Sequence, residues 1–169
     1  VDLALQEGDG LELVRDVRGT AFVRVLPDGK PAVELEHPDG CRVRVIPERS
    51  YGAQGDIRSA SFVQRPDIAI EVQRGDQTTL WLFDPKYKLS GEGAELGDGR
   101  PVKSDIDKMH AYRDAIRTRD GRHLVAYAAT LYPGPTVHYG DDVAALRAYP
   151  GDEAALRAAI EPPLRRALG

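Results

Sequence analysis

The segments RPDIAIEV (65–72) and LWLFDPKYK (80–88) have the pattern of two strands of a β-hairpin, joined through the turn RGDQ. Gly75 suits the first central position of a type II′ turn. A turn centred on Gly75 and Asp76 places Asp67 directly opposite Asp84 on the same face of the sheet. Cβ atoms of opposite residues lie about 5 Å apart. The sequence therefore predicts two carboxylates side by side at the open end of the hairpin.

Two carboxylates this close repel each other unless a positive charge lies between them. A divalent metal is one such charge, because hard cations prefer carboxylate oxygens. Lys86 follows Asp84 at a spacing of two, so it shares that face. An ordinary hairpin with acids at its solvated rim is the alternative. The opposite face carries an apolar stripe that favours this register and packing against a helix. Its members are Ile68, Ile70, Val72, Trp81 and Phe83.

Pro66-Asp67 followed by Asp84-Pro85-Lys86 resembles the signature of the PD-(D/E)XK nuclease superfamily. DPKYK (84–88) and the later DIDKMHAYRDAI (105–116) are similar to one branch, the nuclease-like domains of McrC-type restriction systems. The resemblance covers about residues 50–133. It implies a mixed α/β, restriction-endonuclease-like fold, with a central mixed sheet flanked by helices and an N-terminal antiparallel β region.

The resemblance also implies a metal-dependent phosphodiesterase site. Asp67 and Asp84 would hold Mg²⁺ or Mn²⁺, with the backbone carbonyl of Pro85 as a further ligand. The cation would polarise the phosphate and lower the pKa of a bound water. Lys86, two residues beyond Asp84, would orient that water or stabilise the charge that develops on the phosphate.

Three further residues are candidates for substrate contact. Lys88 shares the face of Lys86, although a surface lysine is an equal alternative. Many relatives have a Gln-x-x-x-Tyr pattern on the helix after the lysine strand, and here Lys108 and Tyr112 occupy those positions. Lysine keeps a donor but loses the amide acceptor. Core packing is the alternative for Tyr112.

One departure from the family pattern concerns the third acid. Relatives often carry it on a helix before the core strands, and no such helix is readable before Asp67. Glu71 shares the face of Asp67 and is a reserve candidate. A site with two acids would bind metal more weakly than a site with three, since affinity follows ligand charge and number.

The chain divides into an N-terminal β-rich region (1–50), a nuclease-like core (51–133) and a C-terminal helical extension (134–169). Gly, Asp and Pro turns separate the alternating segments of the first region. In the core we expect a helix that begins at the N-cap Ser104. The expected strands are 11–17, 20–26, 31–37, 41–47, 57–63 and 123–133, and the expected helices are 104–117, 142–148 and 152–160, the last stopped by Pro162-Pro163.

Composition limits the function classes. The net charge of −4 argues against a broad basic surface, although part of the acidity would belong to metal ligands. The single Cys41 excludes an internal disulfide and a cysteine-based zinc site. No apolar run is long enough for a membrane span and no signal peptide is readable, which favours the cytoplasm. The opening directly into strand-like sequence at Val1 favours a piece of a longer protein.

We expect a nucleic-acid partner, with DNA favoured over RNA. The chain has no GxxxxGK(S/T) loop, so an NTPase would have to be a partner or a further domain. Two alternatives remain at this point: a catalytically inactive nucleic-acid-binding module on the same fold, and an interaction domain whose carboxylates merely rim a hairpin.

Overall fold

The computed structural model describes residues 12–16, 28–86 and 99–168. The described ranges contain ten strands and two helices. The strands are β1 (Glu12–Asp16), β2 (Val33–Glu36), β3 (Arg42–Pro47), β4 (Ile57–Ser59), β5 (Ile68–Arg74), β6 (Gln77–Pro85), β7 (Ile116–Thr118), β8 (Val125–Tyr132), β9 (Val137–His138) and β10 (Val143–Arg147), and the helices are α1 (Lys103–Ala115) and α2 (Glu153–Leu168).

Eight of these strands form one mixed sheet in the order β1-β2-β3-β5-β6-β8-β10-β9. The first five are joined by antiparallel pairings, β6, β8 and β10 run parallel, and β9 returns antiparallel to β10. A crossover connection, usually a helix, must carry the chain from β6 to its parallel neighbour β8, and α1 lies in that connection. β4 and β7 pair in a small second sheet. The mixed sheet with flanking helices confirms the expected restriction-endonuclease-like fold.

The central hairpin has the register that its sequence predicts. Ile68 is paired with Phe83, Ile70 with Trp81, and Arg74 with Gln77 beside the turn. Gly75 has a φ of 56°, a left-handed conformation in which a side chain would be strained. The alternating pattern therefore fixed every pair along β5 and β6, because a slip by one residue would have turned the charged face into the core.

Each face of the hairpin packs against one helix. The predicted apolar stripe, including Val72, Trp81 and Phe83, joins a core cluster to which α2 contributes Leu156 and Ile160. The other face packs against α1 through a second cluster, with these members: Ala69, Leu80, Leu82, Ile106, Met109 and Tyr112. The face that carries the predicted site therefore lies beneath α1.

The helix α1 was correctly placed, but its predicted cap was wrong. It begins at Lys103, and Ser104 lies inside its first turn. The N-cap is Val102, which makes no side-chain cap. The extended backbone of Val102 positions its carbonyl to accept hydrogen bonds from the amides of Asp105 and Ile106. The helix also ends earlier than expected, because Ile116 is the first residue of β7.

The predicted helix over 142–148 was also wrong, because Val143–Arg147 is the strand β10. Val143, Ala144, Ala145 and Leu146 are all buried. A short run that is apolar on both faces shows no alternation and cannot be separated from a buried helix by its periodicity.

Two further expectations need correction. The predicted strand 57–63 is limited to β4 and belongs to the small sheet. Pro162 and Pro163 do not end the last helix, since α2 continues to Leu168. Each proline removes one helical N–H donor, but Pro163 itself is buried, and so is Ala167 in the turn that follows. Segment 20–26 lies outside the described residues.

Candidate active site

Asp84 is the centre of the candidate site. It lies one residue before the end of β6, on the face covered by α1, and its side chain is fully buried. The backbone N–H of Asp67 donates a hydrogen bond to Asp84 Oδ1 at 3.0 Å. The paired residues of β5 and β6 end at Ile68 and Phe83, one position before Asp67 and Asp84. The two aspartates are nevertheless adjacent, as predicted, and are joined by this hydrogen bond from backbone to carboxylate.

Lys86 supplies the positive charge that the two carboxylates require. Its Nζ lies 3.3 Å from Asp67 Oδ2 and 3.1 Å from Asp84 Oδ2. One ammonium group therefore bridges both acids, as expected for side chains that share a sheet face at a spacing of two. The structure brings together the three residues that the sequence predicts as catalytic.

Helix α1 adds a second ammonium group and a tyrosine to the same carboxylate. Lys108 Nζ lies 2.6 Å from Asp84 Oδ2, and it stands over the ring of Tyr112 at 5.2 Å from the ring centroid. These two residues are four apart and so occupy neighbouring turns of one helix face. The Tyr112 hydroxyl donates to the carbonyl of Arg65 at 2.9 Å and lies 3.5 Å from Asp84 Oδ1.

These contacts set the protonation states of the site. Burial by itself raises the pKa of Asp84, but the hydrogen bond from Lys108 and that from the Asp67 amide lower it, with a further contribution from Lys86. The net pKa of Asp84 is below its ordinary value, so the carboxylate is ionised near neutral pH. Burial, and next the charge of Asp84, raise the pKa of Tyr112, which therefore stays protonated.

The end of β6 is fixed from the side of β8. The Lys86 amide donates to the Leu131 carbonyl at 2.7 Å, and the Thr130 hydroxyl donates to the Asp84 carbonyl at 3.2 Å. Pro85 lies between these two anchors and is half-buried. The strand that carries Asp84 and Lys86 is thus rigidly placed, and the role of the Pro85 carbonyl as a ligand stays a prediction.

Two other predicted participants do not join this cluster. Lys88 and residues 90–98 of the polar loop lie outside the described residues. Glu71, the reserve ligand, is engaged by Arg44 and Arg49 further along β5. Its carboxylate is therefore already neutralised by two guanidinium groups.

The donor set of Asp67 and Asp84 fits a hard divalent cation. Two carboxylates converge on one positive charge, and Asp84 is held in its ionised form. Within residues 28–86 and 99–168, no group of three or more His, Cys, Asp or Glu side chains could hold a metal. Mg²⁺ is commonly bound by one or two carboxylates together with water and substrate phosphates, so a two-acid site suits it.

Comparison with family models matches residues 10–137 to the PD-(D/E)XK nuclease superfamily. The chain belongs to the PD-(D/E)XK nuclease superfamily. The match includes the hairpin, α1 and β8, and therefore all of the described candidate site. Members of this superfamily are generally nucleases and typically use divalent metal ions.

Comparison with curated proteins found no match, and comparison with solved structures found none either. In the described ranges of this PD-(D/E)XK chain, neither helix has the length and apolar composition needed to cross a membrane. The catalytic and substrate roles of individual residues stay predictions.

Two features of the site had no signal in the sequence. The first is the hydrogen bond from the Asp67 amide, since a backbone donor carries no residue type. The second is the contact of Lys108 with Asp84, since the sequence suggested only a substrate contact for this lysine. The sequence placed Lys108 on the correct helix, but only the packing of α1 against β6 shows which carboxylate it meets.

Proposed function

We propose that this domain is a metal-dependent endonuclease that hydrolyses phosphodiester bonds of DNA in the cytoplasm, within a bacterial restriction or defence system. The observation that carries the proposal is the convergence of Asp67 and Asp84 on the single ammonium group of Lys86. Superfamily membership supports the reaction class, and the geometry supports this choice of residues.

The charges of the cluster favour an anionic substrate. Asp67 and Asp84 are balanced by Lys86 and Lys108, so the four side chains are neutral together. A bound divalent cation would raise the net charge of this cluster to +2. Asp84 is shielded from water in this site. Positive charge in such an environment interacts strongly with the phosphodiester and more strongly with its transition state.

Each residue has a role that follows from its contacts. Asp67 and Asp84 would hold Mg²⁺ or Mn²⁺, which would supply Lewis acidity and lower the pKa of a bound water. Asp67 orients Asp84 through its amide. Lys86 is partly exposed and can contact the phosphoryl oxygen as a point charge. Tyr112 holds the chain just before Asp67 through the Arg65 carbonyl. Lys108 is the more exposed of the two lysines and suits contact with a neighbouring phosphate.

The finer parts of the proposal have separate support. The restriction or defence setting and the preference for DNA rest on the resemblance of segments 84–88 and 105–116 to McrC-type domains. The same resemblance suggests an NTPase as a further domain or partner. Lys88 remains a proposed phosphate contact, since it follows Lys86 by two residues.

The test is cleavage of supercoiled plasmid, single-stranded DNA and RNA with Mg²⁺, Mn²⁺ or a chelator. We expect metal-dependent nicking of plasmid that Lys86→Ala abolishes. Lys103→Ala is the matched control, because Lys103 lies on α1, is 86% exposed and pairs with Asp107 rather than with the site. Undiminished nicking by Lys86→Ala would contradict the assignment, and so would a lack of nicking by the wild type with either metal.

A binding module without catalysis is the second candidate, and the small number of acids in the described site favours it. It predicts DNA binding in chelator, no cleavage with metal and no thermal shift on adding metal. The nuclease predicts stabilisation by metal, about 2.7 kcal/mol at a hundred times Kd. Thermal unfolding with and without Mn²⁺ separates the two.

A further inference from the structure

A second buried carboxylate lies on the same sheet face as Asp84. Glu71, on β5, is 2% exposed and accepts contacts from two guanidinium groups. Arg44 Nη2 lies 3.2 Å from Glu71 Oε2, and Arg49 Nε lies 3.3 Å from Oε1. Arg44 is paired with Glu71 across β3 and β5, while Arg49 follows β3 after Pro47. These three residues are the Glu71 cluster.

The arginines of the Glu71 cluster have more donor capacity than one carboxylate uses. The Nε atoms of both are buried and have no hydrogen-bond acceptor among the described residues. Arg49 Nε is within ion-pair distance of Glu71 but is not aligned for a hydrogen bond. The side chains remain 31% and 36% exposed. Within the cluster two positive charges face one negative charge, and Glu34, opposite Arg44 across β2 and β3, is engaged by Arg42.

The Glu71 cluster lies beside the candidate active site. The Glu48 amide donates to the Asp67 carbonyl at 2.9 Å, so Arg49 directly follows a residue bonded to Asp67. Glu71 is four residues beyond Asp67 on β5, which is about 13 Å along a strand. Successive phosphates of one duplex strand advance about 3.4 Å along the axis, so this separation spans about four nucleotides.

We propose that Arg44 and Arg49 form a phosphate-binding site for the substrate strand, about four nucleotides from the cleaved bond, with Glu71 as the residue that positions them. The inference rests on the proposed function, since it takes the ligand to be a nucleic acid. Guanidinium groups bind phosphate through parallel N–H donors, and Arg44 and Arg49, at 31% and 36% exposure, can present terminal Nη donors while their Nε atoms stay buried. Glu71 and the ring of Tyr51, 5.5 Å from the Arg49 guanidinium carbon, hold the pair in place.

The test measures DNA affinity in chelator, where no cleavage occurs, as a function of NaCl concentration. Each phosphate contact adds about one to the slope of log affinity against log salt. We expect Arg49→Gln and Arg44→Gln each to lower that slope by about one. Arg42→Gln is the matched control, because Arg42 shares the strand and face of Arg44 but pairs with Glu34 and Glu36.

Two further arms make the outcome decisive. Arg49→Lys keeps the charge and loses the fork, so it should retain the slope and bind several-fold more weakly. Two sets of oligonucleotides, shortened to fewer than about four nucleotides on the 5′ or on the 3′ side of the cleaved bond, locate the site. Only the set that lacks the contacted phosphate should bind the wild type and Arg49→Gln equally well. Inorganic phosphate should compete only at far higher concentration than DNA, since it lacks the neighbouring contacts.

The inference is overturned if the glutamine variants retain circular dichroism and melting temperature yet match Arg42→Gln in slope. If Arg49→Gln fails to fold, the inference is overturned by an Arg44→Gln slope equal to that of Arg42→Gln together with an Arg49→Lys affinity equal to that of the wild type. If the wild type cleaves DNA but the glutamine variants have the wild-type slope, the phosphate site is contradicted and the nuclease proposal is retained. If the glutamine variants have lower slopes but the wild type does not cleave, the nuclease proposal is contradicted and the phosphate site is retained. A wild type that binds no DNA would remove both.

Discussion

The candidate active site around Asp84 (the Asp84 site) and the Glu71 cluster with its neighbour Tyr51 are built from the same three parts. Each has an almost completely buried carboxylate, a tyrosine hydroxyl 3.5 Å from it, and a cation over the ring of that tyrosine. The cations differ, because Asp84 is contacted by Lys86 and Lys108, whereas Glu71 is contacted by two arginines.

The type of cation determines how readily each carboxylate can exchange that cation for another partner. A lysine ammonium is a compact charge on a flexible stem, so it can leave a carboxylate for a metal or a phosphate. A guanidinium is planar, always charged and less easily replaced. Asp84 is therefore suited to a changing set of partners during a reaction. The arrangement around Glu71 is suited to a fixed geometry.

The largest effect should come from exchanging each carboxylate for its amide. We expect Asp84→Asn to lower plasmid nicking to background, because it removes half of the charge that would hold the cation. Glu71→Gln should keep nicking within about tenfold and lower the free energy of unfolding by about 1 kcal/mol, since its partners are partly exposed. Nicking rates and urea unfolding of both variants measure this contrast.

Asp84→Asn should remain folded, because the amide keeps the oxygen that accepts the Asp67 N–H and both lysines can reach water. Circular dichroism checks this directly. Loss of folding would show that the Asp84 carboxylate is structural. Equal loss of nicking in both variants would remove the functional contrast between the two sites.

Much of the candidate site was predictable because it depends on local rules. The turn at Gly75 and the strict alternation along β5 and β6 fix which residues face each other. That register alone places Asp67, Asp84 and Lys86 on one face. The helical spacing of Lys108 and Tyr112 then places both on one side of α1.

What could not be predicted depends on packing between distant segments. Val143–Arg147 becomes a strand because β8 offers it a parallel partner, and nothing in its own sequence records that. The continuation of α2 through Pro162 likewise depends on burial against the sheet. The arginine partners of Glu71 come from β3 and the residues after it, and a charge in an alternating strand does not indicate which carboxylate it will meet.

The lysine contacts should make the Asp84 site sensitive to charge on α1. We expect Lys108→Gln, which restores the residue type of many relatives, to raise Mn²⁺ affinity by about three- to tenfold. The reason is that Lys108 and the metal compete for Asp84 Oδ2, and a partly exposed charge pair contributes about 1 kcal/mol. Calorimetric titration of the metal-free proteins with Mn²⁺ measures this affinity, and Lys103→Gln is the control with the same change of charge. Affinity unchanged or weakened in Lys108→Gln would show that the lysine and the metal do not compete.

Acid should weaken the fold through Asp84. Its folded-state pKa is lowered below the unfolded value of about 3.9. The stabilisation is therefore present above pH 3.9 and is lost as the pH falls through the folded-state pKa. Urea unfolding from pH 7 down to pH 2.5 should show a steeper loss in the wild type than in Asp84→Asn. Parallel curves for the two proteins would indicate that Asp84 gains nothing from its neighbours.

The smallest effect concerns the two tyrosines. A separation of 3.5 Å is at the limit of a hydrogen bond, so neither hydroxyl contributes much through its carboxylate. Tyr112 also donates at 2.9 Å to the Arg65 carbonyl, and its loss leaves that acceptor without its partner. We expect Tyr112→Phe to lower the free energy of unfolding by about 1 kcal/mol and Tyr51→Phe to lower it by less than half of that. Urea unfolding of both variants tests the ranking, and a larger cost for Tyr51→Phe would place the stronger hydroxyl contact at Glu71.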